Sequence, residues 1–258
     1  STGEAVRSFT WGEDSEDKRA AFSPSGEFLL TAGSGGSATM RDASTGEALR
    51  YFEPTPMRYS FIRSAVFSPT GKYVLTAGDG DGRIEPAGSM QTWIASNGSK
   101  LKSFAGHQSS VHSAVFSPRE DLLLSASEDH TAVMWNASSG ERLIVFGGHL
   151  KAVHSASFSP TGERVLTASL DETAKLWNAS TGEALHEFAG HNGSVNSAVF
   201  SPTGDRVLTA SGGRYGQRLG DRSAIMWDAS TGEVLQNFTG HSEGLTSAVF
   251  SPTGDHVL

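Results

Sequence analysis

The sequence contains no cysteine. That excludes disulfide staples, zinc–thiolate sites, iron–sulfur ligation and a cysteine nucleophile together, while fitting either redox setting. Cations are in deficit. Against 28 Asp and Glu there are 20 Lys and Arg, a formal charge of −8, so the general basic footprint of a nucleic-acid binder is missing. No run of about 18 apolar residues occurs, which excludes a membrane-spanning helix and membrane insertion by that route. No long amphipathic helical period is found either. What is plentiful is glycine, 30 residues in 258, with Ser and Thr beside it. Short apolar runs between such turn residues argue for many short strands and an all-β domain.

The runs repeat. Phe-Ser-Pro begins at Phe22, Phe67, Phe116, Phe158, Phe200 and Phe250, at spacings of 45, 49, 42, 42 and 50 residues. A second marker, Ala-Ser-Thr-Gly-Glu or a near variant, recurs at residues 43–47, 179–183 and 229–233. Five residues beyond its Glu position stands a second Phe, at Phe9, Phe52, Phe104, Phe146, Phe188 and Phe238. Trp93, Trp135, Trp177 and Trp227 share one repeat position. Large apolar residues at fixed positions are expected to build a core once per repeat. The unit at 109–146 reads as four strands, 111–116, 122–126, 131–136 and 142–146, with Pro and Gly in the turns between them.

The period, the Gly-His pairs ending at His107, His149, His191 and His241, and the pairs Trp135-Asn136, Trp177-Asn178 and Trp227-Asp228 resemble the WD-repeat family of β-propellers. The resemblance covers essentially the whole chain and implies one domain over residues 1–258. Six blade positions are expected: five complete four-stranded blades, and one closed by both chain ends. The alternative is part of a seven-bladed or larger array. The sequence opens as a fourth strand and stops inside a second one, so the expectation is a fragment of a longer chain.

The resemblance also implies a hydrogen-bonded tetrad in each regular unit. The matching positions are His107, Ser125, Asp129 and Trp135, then His149, Thr167, Asp171 and Trp177, then His191, Thr209, Asp221 and Trp227. A Ser-His-Asp set also suggests nucleophilic catalysis. Repetition in three blades with a Trp cap favours a structural staple, in which buried polar groups satisfy one another. The first two units depart from the pattern. Glu13, Gly35 and Arg41 stand at the first unit's His, Asp and Trp positions, and Arg58 and Ala87 at the second unit's His and Asp positions.

In the family, the tetrad loops lie on one rim, the top. Two top loops are enlarged. One runs from Thr76 to Trp93 and carries Asp79, Asp81 and Glu85; the other runs from Thr209 to Trp227 and carries Arg214, Tyr215 and Arg218. Long loops on a rigid scaffold are where binding usually resides. The first-strand positions that resemble the partner-contact ring include Lys18, Phe61, Arg63, His112, His154 and Asn196. A locally basic mouth on an acidic chain suggests an acidic or phosphorylated peptide.

The remaining signals are weaker. Asp79, Asp81 and Glu85 lack the twelve-residue spacing of a calcium loop. His112 and His154 are too few ligands for a metal site. No cofactor is implied. The reading is therefore a non-catalytic scaffold that binds a protein or peptide through its top face, and neither nucleic acid nor a membrane. One alternative is a sensor or ligand-recognition domain of a larger regulatory protein. A further alternative is an enzyme using Asp79, Asp81 and Glu85. The location expected is intracellular, in the cytoplasm.

Overall fold

The computed structural model describes residues 19–32, 36–53, 61–79, 88–213 and 221–258. Among them the chain forms strands and turns but no helix, and so no helix long and apolar enough to cross a membrane. Twenty strands fall into five sheets in chain order. The first holds β1 (Arg19–Phe22), β2 (Phe28–Ala32), β3 (Ala38–Asp42) and β4 (Ala48–Phe52). The second holds β5 (Ile62–Phe67), β6 (Tyr73–Asp79), β7 (Gly88–Ile94) and β8 (Lys100–Ala105). The third holds β9 (Val111–Phe116), β10 (Leu122–Ser127), β11 (Ala132–Asn136) and β12 (Arg142–Phe146). The fourth holds β13 (Val153–Phe158), β14 (Arg164–Ser169), β15 (Thr173–Asn178) and β16 (Ala184–Ala189). The fifth holds β17 (Val195–Phe200), β18 (Arg206–Ser211), β19 (Ala224–Asp228) and β20 (Val234–Phe238).

Every sheet is an antiparallel meander in which sequence neighbours pair. The first strands of successive sheets lie against one another, β1 by β5, then β9, β13 and β17. Each sheet is thus a propeller blade with its first strand innermost. After β20 the chain makes one further bridge, between Phe250 and Val257, and Phe250, Ala248 and Leu245 pack on the fifth sheet.

The turns are locked by their own side chains. In all six Phe-Ser-Pro copies the serine Oγ accepts the backbone N–H five residues on, as Ser117 does from Leu122 at 3.0 Å and Ser159 from Arg164 at 3.1 Å. At the other turn, the Oδ1 of Asp42, Asn136, Asn178 or Asp228 accepts two backbone N–H groups and a serine hydroxyl. These are the Asx geometries that make Ser, Asn and Asp turn residues.

The apolar core is divided among the spaces between sheets. Four of the five fourth-strand phenylalanines, Phe52, Phe104, Phe146 and Phe188, are at most 3% exposed, and Phe238 of the fifth sheet is partly buried. Each of the four meets the tryptophan of the next sheet: Phe52 with Trp93, Phe104 with Trp135, Phe146 with Trp177 and Phe188 with Trp227, at centroid distances of 5.4–6.1 Å. Edge-on and tilted aromatic pairs of this kind add to simple area burial. The Phe-Ser-Pro phenylalanines, expected in the core, are instead only partly covered, and Phe22 is 64% exposed. The inner strands leave room there only for small residues, the buried Ala65, Ala114, Ala156 and Ala198. The bulky Phe is displaced to the strand end, where Phe116, Phe158, Phe200 and Phe250 line an apolar pit of about 540 Å³.

A second tie between blades carries no repeated letter. Two residues before the fourth-strand Phe in three of the sheets a side chain reaches across; in the first, Arg50 donates from Nε and Nη2 to the Ser96 carbonyl at 3.3 and 3.2 Å. Lys102 donates to the Ser139 carbonyl at 2.8 Å, and His186 Nε2 to the Ser230 carbonyl at 2.8 Å. In each case the outer strand of one blade clasps the turn of the next.

Candidate functional site

The three tetrads form as a connected chain of hydrogen bonds. In the third sheet, His107 Nδ1 lies 2.8 Å from Asp129 Oδ2, and Nε2 lies 2.7 Å from Ser125 Oγ. Trp135 Nε1 donates to that same Oγ at 2.8 Å. The hydroxyl hydrogen has two acceptors in reach, Nε2 at 2.7 Å and the Val133 carbonyl at 3.2 Å. The shorter contact assigns the proton to Nε2, so Nδ1 carries the imidazole hydrogen and donates to Asp129. The fourth sheet repeats this: His149 contacts Asp171 at 2.8 Å and Thr167 at 2.8 Å, and Trp177 donates to Thr167 at 2.9 Å. In the fifth, His191 bonds Asp221, contacts Thr209 at 2.7 Å, and Trp227 donates to Thr209 at 2.8 Å.

The carboxylates are saturated. Asp129 Oδ2 also accepts the Gln108 N–H, and its Oδ1 accepts both the N–H and the hydroxyl of Thr131. Asp171 does the same with Leu150 and Thr173. Burial alone would raise the Asp129 and Asp171 carboxyls, but hydrogen bonds from the histidine, the threonine and the loop N–H outweigh it and hold both well below the ordinary range. Asp221 is held low by the same balance, burial against the bonds around it. Burial also lowers His191, against the opposing pull of Asp221. Ser125, Thr167 and Thr209 are fully buried. A nucleophile must meet its substrate, and these hydroxyls are spent on a histidine and a tryptophan. The triads are staples between the loop entering a blade and its middle strands.

These shifts set a pH dependence. Each Asp has a folded pKa below its unfolded value, so its contribution is complete above about pH 4 and is lost as pH falls through the folded value. His191 is also lowered, so the unfolded chain takes up a proton first, below about pH 6.5, and stability again falls with pH. The turn carboxylates Asp42 and Asp228, held at about 2 chiefly by the hydroxyls of Ser44 and Ser230, add to the acid limb. The melting temperature is expected to be level near pH 7–8, to decline gently below about pH 6.5 and steeply below about pH 4. A melting temperature constant or rising from pH 7 to pH 3 would contradict it.

The irregular units keep fragments of this device. Trp93 Nε1 donates to Thr76 at 2.9 Å, although Arg58 and Ala87 lie outside the described residues. Arg41, at the Trp position, donates to the Gly46 carbonyl at 3.2 Å, and Thr31 bonds the Thr39 carbonyl. Glu13 and Gly35 also lie outside the described residues.

The described candidate contact residues, Phe61, Arg63, His112, His154 and Asn196, share one end of the sheets, at the entry to the first strands, but differ in environment. Phe61 is 40% exposed. Arg63 Nε donates to Asp79 at 2.6 Å, a forked pair completed by Nη2 at 3.2 Å, so Asp79 meets this cation and part of the basic mouth is neutralised. His112 is only 4% exposed, and its ring lies 4.5 Å from that of the half-buried His154. Asn196 is tied by its Nδ2 to the Gly212 and Leu245 carbonyls. Lys18, Asp81, Glu85, Arg214, Tyr215 and Arg218 lie outside the described residues. Among the described residues there is no group of three or more His, Asp or Glu placed to hold a metal.

Leu150 at this end is missing from the sequence reading. It is 81% exposed and fixed by its N–H bond to Asp171. The signal was available: the residue after the tetrad His is Gln108, Asn192 and Ser242 in the other units and apolar only here.

A family model described as WD domain, G-beta repeat matches residues 56–84, 98–136, 140–178, 182–228 and 232–258. No curated protein matches the chain. The match spans well over half the residues, and with five four-stranded blades it shows that the chain belongs to the WD-repeat family. Repeats of this family generally act as non-catalytic scaffolds that bind proteins or peptides.

Proposed function

We propose that this WD-repeat chain is an interaction scaffold whose partner, a protein or peptide with an acidic or phosphorylated segment, docks on the end that carries the tetrad loops. One observation carries the reading: Phe61 and Leu150 stand exposed at that end, and the tetrad beneath Leu150 has its polar groups engaged with one another. Exposed anchors set on a rigid, internally satisfied frame suit a hot spot, because little ordering is left to do on binding. The exposed Lys151 supplies positive charge that would orient an acidic segment, and Arg63 adds to it only where the segment's acid group takes the place of Asp79. Lys18, Arg214, Tyr215 and Arg218 extend the same proposal into the enlarged loop and the chain's first unit.

The test is to identify a partner by crosslinking and measure its affinity for the Phe61→Ala, Leu150→Ala variant and for Phe61→Ala, Arg63→Glu. Each is expected to weaken binding by about tenfold or more, and wild-type affinity to fall with salt. Crosslinks confined to the Ser-Pro turns, or unchanged affinity in both variants, would overturn the reading.

A further inference from the structure

Between the first and second sheets lies a cavity of about 480 Å³, within the size range of small-ligand sites. Its walls are apolar: Phe28, Met40, Leu49 and Phe67. Its only charged lining residues are two exposed cations, Arg50 and Lys72. From the geometry we infer that this cavity is a binding site for an amphipathic carboxylate, an aliphatic chain ending in one acid group.

The charge pattern selects that class. Arg50 is engaged only with backbone carbonyls, those of Ser96 and Leu49. Three of its five N–H groups make those bonds, and two remain for a carboxylate. Lys72 is exposed and holds its ammonium 4.9 Å over the Tyr73 ring. Neither cation lies within ion-pair distance of a carboxylate among the described residues, although the Glu120 carboxylate acts on Lys72 from the turn of the third sheet. On a chain of net charge −8 this is a local exception. The matching space between the third and fourth sheets shows the contrast. There, Ile144 occupies the place of Arg50 and Glu163 the place of Lys72, and Asp121 also lines the space. That space carries both signs of charge, Arg119 and Arg164 with Asp121 and Glu163, so it lacks the uniformly positive mouth of the first. A bound tail would give the apolar walls the contacts that an empty space denies them, and Met40, unbranched and adaptable, can follow its shape. The acid group would meet a charge-assisted pair at the mouth.

The experiment is calorimetric titration of the intact chain with decanoate, decanol and acetate. Decanoate is expected to bind saturably at one site, with decanol and acetate each weaker by about tenfold or more. The Lys72→Gln variant changes one exposed side chain, leaves the Arg50 clasp intact, and should keep the wild-type melting temperature while losing about tenfold in decanoate affinity. Met40→Trp should block the site outright. Absence of saturable binding, equal affinity for decanol, or undiminished decanoate binding in the Gln variant would each overturn the inference. Partner affinity at the tetrad end is a separate readout and should not move in these variants.

Discussion

Replacing Trp135 by alanine is expected to destabilise the chain by about 3–5 kcal/mol, the range for removing a buried large aromatic. The size follows from what the indole joins. Trp135 is 1% exposed. Its ring meets Phe104 of the second sheet edge-on at 6.1 Å, and His107 edge-on at 5.8 Å. Its Nε1 donates to Ser125 at 2.8 Å. One substitution therefore opens the space between two blades and removes a donor from the tetrad. Trp135→Phe separates the two effects. It restores most of the volume but not the N–H, so it should cost about 1–2 kcal/mol, the scale of a buried hydrogen-bond partner lost. Urea unfolding of the two variants gives both numbers. A loss below about 1 kcal/mol for the alanine variant would mean that blades are not held together at this contact.

The parts of the fold that recur are the parts the sequence made legible. Strands 111–116 and 142–146 were placed to the residue, because turn serines and prolines bracket each run at constant spacing. The tetrads were legible for the same reason: a chain of four side chains works only if all four positions are kept. The clasp between blades was not legible. Arg50, Lys102 and His186 share a reach and a hydrogen-bonding end but no common residue type, so no repeat marks them. The Phe-Ser-Pro phenylalanines were placed in the core because periodic aromatics usually are. Their exposure depends on the width left between neighbouring inner strands, a property of two sheets at once. Asp79 entered the sequence reading as a carboxylate for the enzyme alternative, and its partner, Arg63, is sixteen residues away on the paired strand. Single departures such as Leu150 were masked by the regularity around them.

Regularity can also mislead about stability, and Gly78 is the test of that. It ends the run Tyr73–Gly78 at the place held by Ser127, Ser169 and Ser211 in the later sheets, so the repeat pattern recommends serine. Ser127 uses its hydroxyl to bond the Ser109 and Ser110 carbonyls, and Ser169 bonds the Lys151 carbonyl. In the second sheet the position faces the backbone of the inner strand directly. A Cβ at Gly78 would lie 2.0 Å from the Phe61 carbonyl oxygen, and no side chain can swing aside, because the obstacle is backbone. Across the same hairpin, a Cβ at Gly88 would lie 2.1 Å from the Ser109 carbonyl oxygen. Two glycines thus let the long β6–β7 hairpin sit between neighbouring first strands, and they set where Phe61 emerges. The Asp79 N–H bond to Phe61 at 3.1 Å and the Arg63–Asp79 pair both depend on that approach. Gly78→Ser is therefore expected to destabilise by about 1–3 kcal/mol, as overpacking does, although it brings the unit closer to the repeat. If Phe61 anchors a partner, affinity should fall in the same variant, because the displaced strand carries the ring with it. A melting temperature equal to or above that of the wild type would show that the inner strand can retreat freely, and the geometry assigned to the rim at Phe61 would have to be abandoned.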